Sequence, residues 1–123
     1  MNPIPLALSI TLALFPVTSV LAQDFPADAT IPTAAEVQKL LTASTLSAKL
    51  ADGTIWRLEY KANGYFFLNT NRGFNSKGEW KAEEGRLCGQ LQGRPAACNE
   101  VRVHMGALHY KRDTGEIVRF VAQ

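Results

Sequence analysis

From Leu46 to the end of the chain, apolar residues recur at every second position in short runs separated by glycine-containing turns. A period of two places alternate side chains on opposite faces of a strand, so the pattern dictates antiparallel strands joined by tight hairpins. Leu46, Ala48 and Leu50 alternate, as do Trp56, Leu58 and Tyr60. A three-residue loop, Asp52 to Thr54, pairs Leu50 with Trp56, Ala48 with Leu58 and Leu46 with Tyr60. A two-residue turn would move one apolar set to the wrong face. Ala62-Asn63-Gly64 then joins Tyr60 to Phe66 and Leu58 to Leu68.

The Asn- and Gly-containing stretch Asn69 to Lys77 reads as a long irregular loop carrying Phe74, after which a strand resumes from Gly78 to Ala82 around Trp80. A three-residue turn, Glu83-Glu84-Gly85, leads to Arg86–Leu91 and sets Trp80 opposite Cys88, where the ring can cover a disulfide. Val101, Val103 and Met105 face one side, and Gly106-Ala107 suits a type II′ turn that returns the chain through Leu108 and Tyr110. Asp113-Thr114-Gly115 closes the last hairpin, setting Tyr110 against Val118, Leu108 against Phe120 and Arg112 beside Glu116.

Ahead of the strands, Thr33-Ala34-Ala35-Glu36 has capping-box spacing, and Val37, Leu40 and Leu41 form one apolar stripe. So short a helix is unstable alone and must dock on the sheet. The expected fold is therefore α+β but mainly β: a short N-terminal helix followed by a curled antiparallel meander of seven or eight strands. It would form a half-barrel or a small barrel, with the helix capping an open end or an edge.

Residues 1–22 contain none of the charged side chains; all 13 Lys/Arg and 11 Asp/Glu lie beyond them. The apolar stretch Ile4 to Val17, followed by Thr18, Ser19 and Val20-Leu21-Ala22, reads as a signal peptide cleaved after Ala22. Pro16 and the polar pair after it argue against a membrane anchor, and Gln23 in place of cysteine argues against lipidation. The expected organisation is a signal peptide over 1–22, a Pro- and Asp-containing flexible leader over 23–32 and a single domain over 33–123, periplasmic or secreted. Cys88 and Cys98, flanking the turn-forming run Gln92-Gly93-Arg94-Pro95, are then expected to form one disulfide across a hairpin centred on Gly93.

Leu40-Leu41, Thr45-Leu46, Gly53 with Trp56, Gly78-Glu79-Trp80, Gly85-Arg86-Leu87-Cys88 and Cys98 together resemble an uncharacterised family of small exported bacterial proteins, catalogued as a domain of unknown function. The resemblance covers residues 34–121 and brings no catalytic residues with it. Similar small exported domains include binders and inhibitors of periplasmic enzymes.

No arrangement for enzymatic chemistry stands out. Ser44, Ser47 and Ser76 sit in no triad setting; Asp52, Glu59, Glu79, Glu83 and Glu84 fall in turns or on outward faces; phosphate-cradling glycine loops are absent. Residues 44–123 carry a net charge of +4, but it is spread over the strands, so nucleic acid is not an expected partner. His104 and His109, directly opposed across the Gly106-Ala107 turn, are the best metal candidates, though two imidazoles make only half a zinc site. No cofactor is expected.

An apolar surplus remains. If Trp56, Leu58, Tyr60, Phe66 and Leu68 point inward, then Ile55, Tyr65 and Phe67 point outward. Either the helix stripe covers them or a partner does. The sequence thus favours a non-enzymatic binding or inhibitory module, a monomer or weak homodimer, that meets an envelope protein through Tyr65, Phe67, Phe74 and Arg94. The alternative is a lipocalin-like carrier that holds a small apolar ligand inside the curled sheet, lined by Trp56, Tyr60, Phe66 and Trp80.

Overall fold

The computed structural model describes Pro3 and residues 22–123. The expected export signal, 1–22, otherwise lies outside the described residues. One helix, α1 (Ala34–Thr42), precedes eight strands: β1 (Leu46–Lys49), β2 (Ile55–Tyr60), β3 (Tyr65–Thr70), β4 (Asn75–Glu83), β5 (Arg86–Leu91), β6 (Ala97–His104), β7 (Ala107–Lys111) and β8 (Ile117–Ala122). Each strand pairs antiparallel with the next, and β8 returns to β1, closing the sheet into a barrel. The fold is mainly β with one short helix, and closure removes the free edges that a half-barrel would leave.

Alternation sorts the core. Leu46, Ala48, Leu50, Leu58, Tyr60, Phe66, Leu68, Leu87, Val101, Leu108, Val118 and Phe120 all point inward and are buried. The helix starts where the capping box places it. The Thr33 hydroxyl accepts from the Glu36 N–H at 3.1 Å, and the Glu36 carboxylate accepts from the Thr33 N–H at 3.5 Å. Val37 and Leu41 are completely buried, worth about 1.5–3 kcal/mol each. The helix packs against β2, β4 and β7 and closes the barrel end that carries the β2–β3, β4–β5 and β6–β7 turns. It therefore does not cover Ile55, Tyr65 and Phe67, which remain on the outside.

Residues 23–32 run along the outside of the barrel. Gln23 N–H donates to the Gly115 carbonyl at 2.9 Å, and Thr30 exchanges two backbone hydrogen bonds with Val103, on the stretch of β6 beyond the start of β5. Phe25 lies under the Arg102 guanidinium at 5.2 Å, and the Pro32 carbonyl accepts from Gly85 N–H.

The registers expected at Ala62-Asn63-Gly64 and Asp113-Thr114-Gly115 are observed: Leu58 faces Leu68, Tyr60 faces Phe66, Leu108 faces Phe120 and Tyr110 faces Val118. Arg112 and Glu116 form an ion pair at 2.8 Å. Four other expectations are corrected. The first loop is Ala51-Asp52-Gly53, so Leu46 faces Leu58 and Ala48 faces Trp56, two residues from the expected register but on the same face. Its third position needs a left-handed backbone, and Gly53, at φ 87°, occupies it. The long irregular stretch is in fact another tight turn, Asn71-Arg72-Gly73, with Phe74 directly after it and β4 beginning at Asn75.

The β4–β5 turn has two residues, Glu84-Gly85, which slips that pairing by one: Trp80 faces Gly89, and Cys88 faces Lys81. Trp80 therefore points into the barrel, away from the disulfide. The β6–β7 turn is Met105-Gly106, with both residues at positive φ (50° and 76°), the signature of a type I′ turn. Met105 is thus 84% exposed at a turn tip and does not share a face with Val101. This shift also sets His109 opposite Arg102 and His104 opposite Ala107, so the two histidines are not directly opposed.

Cys88 and Cys98 are directly paired across β5 and β6 and form a disulfide, with their Cα atoms 3.9 Å apart. The bond lies on the face opposite to buried Leu87 and Asn99. Such a staple belongs to an oxidising, non-cytoplasmic compartment. No helix among the described residues is long and apolar enough to cross a membrane.

A test of this packing lies at Gly78, in mid-strand. A methyl group there would overlap the backbone of Gln90 and Leu91 on the neighbouring strand, and backbone cannot rotate away. Gly78→Ala is expected to cost about 1–3 kcal/mol in urea unfolding. An unchanged midpoint would show that β4 and β5 do not approach as described.

Candidate functional site: a cup inside the barrel

Eight strands enclose an interior just wide enough either to be filled by side chains or to hold one small ligand. Here it is not filled. A cavity of about 550 Å³ opens at the barrel end opposite the helix, between the β1–β2, β3–β4, β5–β6 and β7–β8 loops. The reason is legible along one row of the sheet: Trp80 faces Gly89, which faces Ala97, so two of the three inward positions have almost no side chain. The helix plugs the lower end with Val37 and Leu41, and nothing equivalent fills the upper end.

The wall is aromatic. Trp56, Tyr60, Phe66 and Trp80, the four residues expected to line a ligand site, all border the cavity. Tyr60 stacks on Phe66 with centroids 5.3 Å apart and meets Trp80 edge-on at 5.3 Å. Tyr110 and Phe120 complete the wall, stacked at 5.4 Å, with Trp56 edge-on to Tyr110 at 6.2 Å. Sequence reasoning set Tyr110 against Val118 and Phe120 against Leu108 in their hairpin but did not bring them to the site. That required closure, which carries β7 and β8 round to face β2.

Burial pushes the Tyr60 hydroxyl far above the usual phenol range. Tyr110 is pushed up to about 12, again by burial first and then by the Asp113 carboxylate. Both are neutral donors at physiological pH. Their hydroxyls have no hydrogen-bond partner among the described residues and are not sealed off, so they are available to a molecule in the cavity.

The mouth is polar and largely cross-tied. The Arg72 Nε donates to the Thr54 hydroxyl at 2.7 Å, and another of its nitrogens donates to the Asp52 carbonyl at 2.9 Å, joining the β3–β4 turn to the β1–β2 turn. The Asp52 carboxylate accepts from Thr54 N–H, which, with the Thr54 hydroxyl and the charges of Arg72 and Arg112, holds its pKa below the usual value. Asn99 donates to the Asp113 carboxylate at 2.8 Å and the Lys111 carbonyl at 3.0 Å. Arg112 lies over the Trp56 ring at 5.2 Å while paired with Glu116.

The residues expected to form a partner surface divide in two. Tyr65 and Phe67 point outward from β3, 51% and 37% exposed, with Phe67 between Glu59 and Lys77. Ile55 stands apart from them, because the Arg57–Asn69 pair and the Arg57–Glu59 ion pair intervene. Phe74 and Arg94 belong to the cavity mouth instead, with the Arg94 guanidinium 5.4 Å above the Phe74 ring.

His104 and His109 still lie side by side on the outer face, ring centroids 5.6 Å apart, and the Nδ1 of His104 is 3.1 Å from the Asp28 carboxylate. Burial, then His104 and Arg119, lowers the pKa of His109. Among the described residues, the group of three potential metal ligands drawn together is Glu83 with Cys88 and Cys98, whose sulfurs are already bonded to each other.

The tyrosines make stability depend on alkaline pH. Folded Tyr110 keeps its proton to about pH 12, whereas an ordinary tyrosine loses it near pH 10, so unfolding releases a proton in that window. Its contribution is fully present below pH 10 and is lost as pH climbs toward 12. Urea midpoints should fall between about pH 9 and about pH 11, and fall less in Tyr110→Phe. An identical decline in the variant would place Tyr110 in water.

No protein-family model matches this chain, and neither a curated protein nor a solved structure is detectably similar to it. What the cavity does must follow from its own chemistry.

Proposed function

We propose that this chain is an exported, non-enzymatic carrier that binds one small, largely apolar molecule inside the barrel. The observation that carries the reading is the cup itself: about 550 Å³, closed below by the helix, open above and walled by aromatic rings. That volume is within the roughly 300–1,000 Å³ of typical small-molecule sites, and apolar walls with a few convergent polar groups are their usual construction. An unfilled interior weakens a small domain, since each missing side chain forfeits packing. The disulfide and the closed sheet offset that loss. Export is supported by the same disulfide and by the uncharged apolar stretch at the start of the chain.

A second reading, attachment of an envelope protein to the outer face, is favoured by the exposed neighbours Tyr65 and Phe67. Two rings set among Glu59, Lys77 and Glu79 make a small patch, and the cup is the more specific feature.

The carrier reading is tested with the neutral fluorescent probe N-phenylnaphthylamine. Saturable binding of one probe per chain is expected, with quenching of Trp56 and Trp80 emission. Ala97→Trp, which fills the gap beside Gly89, should weaken it at least about tenfold, or 1.4 kcal/mol, without lowering the urea midpoint. Absence of saturable binding, or equal binding by the filled variant, would reject the cavity as the site. Tyr65→Ala with Phe67→Ala should leave probe binding unchanged.

A further inference from the structure

Resting on the carrier reading, the geometry points to the class of molecule carried: we propose a monoanionic amphiphile whose apolar body enters the cup and whose charged head is held at the lip by Arg94. Four charged side chains besides Arg94 border the cavity, and each is already engaged. Arg112 is paired with Glu116, and Arg72 donates to Thr54 and to the Asp52 carbonyl. Asp52 accepts from Thr54 N–H, and Asp113 accepts from Asn99. Arg94 differs. It forms no ion pair and no side-chain hydrogen bond among the described residues, yet it is not loose. Its guanidinium rests on the Phe74 ring at 5.4 Å. Its backbone is fixed on both sides, the N–H donating to the Leu91 carbonyl at 3.0 Å and the carbonyl accepting from Gln90 at 3.1 Å. Pro95 restricts the backbone of Arg94, the residue before it.

A guanidinium held over a ring, with no ion pair or side-chain hydrogen bond of its own among the described residues, keeps its donors free, and such a fork of donors matches a carboxylate bidentately. Below the lip the wall offers no charge, only rings, leucines such as Leu58, Leu68 and Leu87, and the neutral hydroxyls of Tyr60 and Tyr110. A molecule charged at both ends would strand one charge inside without a partner. An uncharged one would leave Arg94 without a role. One anionic head on an apolar body satisfies both ends of the site.

The test compares dansyl-labelled undecanoic acid with its methyl ester on the full-length mature protein, titrated at neutral pH in low and high salt. The acid should bind about tenfold tighter than the ester, the margin of a charge-assisted hydrogen bond, and the margin should shrink as salt rises. Arg94→Gln should remove most of the margin, lowering acid affinity about tenfold and leaving the ester within about twofold; Arg94→Lys should restore part of it. Arg94 lies on an exposed loop, so the fold is not at risk. Equal binding of acid and ester overturns the proposal while leaving the carrier reading intact, and a margin that survives Arg94→Gln overturns the role of Arg94. Failure of both dansyl probes and of N-phenylnaphthylamine to bind overturns the carrier reading itself.

Discussion

Closure of the sheet is the constraint on which everything else depends. It is made by a short seam: Leu46 faces Ala122, Ser47 faces Val121, and Gln123 N–H donates to the Thr45 carbonyl at 2.9 Å. Without it β1 and β8 would be two exposed edges of a curled sheet, open to pairing with other chains. With it the strand number is fixed at eight, and strand number sets interior width. The aromatic wall exists only in the closed form, because Trp56 meets Tyr110 and Tyr60 approaches Phe120 across the interior rather than along neighbouring strands.

Inside that fixed width, the side chains decide how much space remains. At the lower end, Val37 and Leu41 descend from the helix and meet the strand residues in one core, which supplies most of the apolar burial. At the upper end, Gly89 and Ala97 decline to fill the space that Trp80 leaves. A larger residue at either position would add packing enthalpy and close the cup. The unfilled end is thus paired with a staple on the same two strands, Cys88 to Cys98, one residue away from Gly89 and Ala97. A loop this short closed by a disulfide is worth roughly 3 kcal/mol in the chain-entropy model, applied where the interior contributes least.

Four of the hairpins share one device. Ala51-Asp52-Gly53, Ala62-Asn63-Gly64, Asn71-Arg72-Gly73 and Asp113-Thr114-Gly115 each end on a glycine at positive φ whose N–H donates to the carbonyl of the residue before the loop. In three of them the middle side chain, Asp52, Asn63 or Thr114, also accepts from the N–H just after the glycine. This local chemistry was legible in the sequence at 62–64 and 113–115, where placing the glycine last gave the right pairing. It was misread at 51–53, where the glycine was set in the middle, and at 71–73, where three asparagines suggested irregularity. The turns at 84–85 and 105–106 follow a different rule, two residues rather than three, and nothing in residue type alone separates Glu83-Glu84-Gly85 from the three-residue pattern. One residue of slip there was enough to turn Trp80 from the disulfide to the cavity.

The same logic explains why half of the candidate site was visible beforehand. Trp56, Tyr60, Phe66 and Trp80 share a face by alternation within β2 to β4, a local property. Tyr110, Phe120 and the charged lip come from strands distant in sequence, and only closure assembles them. The lip is also mechanically uneven. The β1–β2 turn is tied to its neighbours on both sides, by Arg72 and Asn71 on one and by Glu116 on the other. The β5–β6 loop, Gln92 to Ala96, is exposed throughout; it is tied to β4 by Gln92 N–H, which donates to the Lys77 carbonyl at 2.9 Å, and beyond Gln92 its contact across the mouth is Arg94 on Phe74 of the β3–β4 loop. Entry to the cup is therefore easiest on that side, where displacing the tip beyond Gln92 breaks one cation–π contact of about 0.5–1 kcal/mol across the mouth. The disulfide at the base of the loop confines that movement to the tip. In the proposed carrier, access and charge recognition reside in the same few residues, so that a molecule passing the lip would meet Arg94 before the aromatic wall.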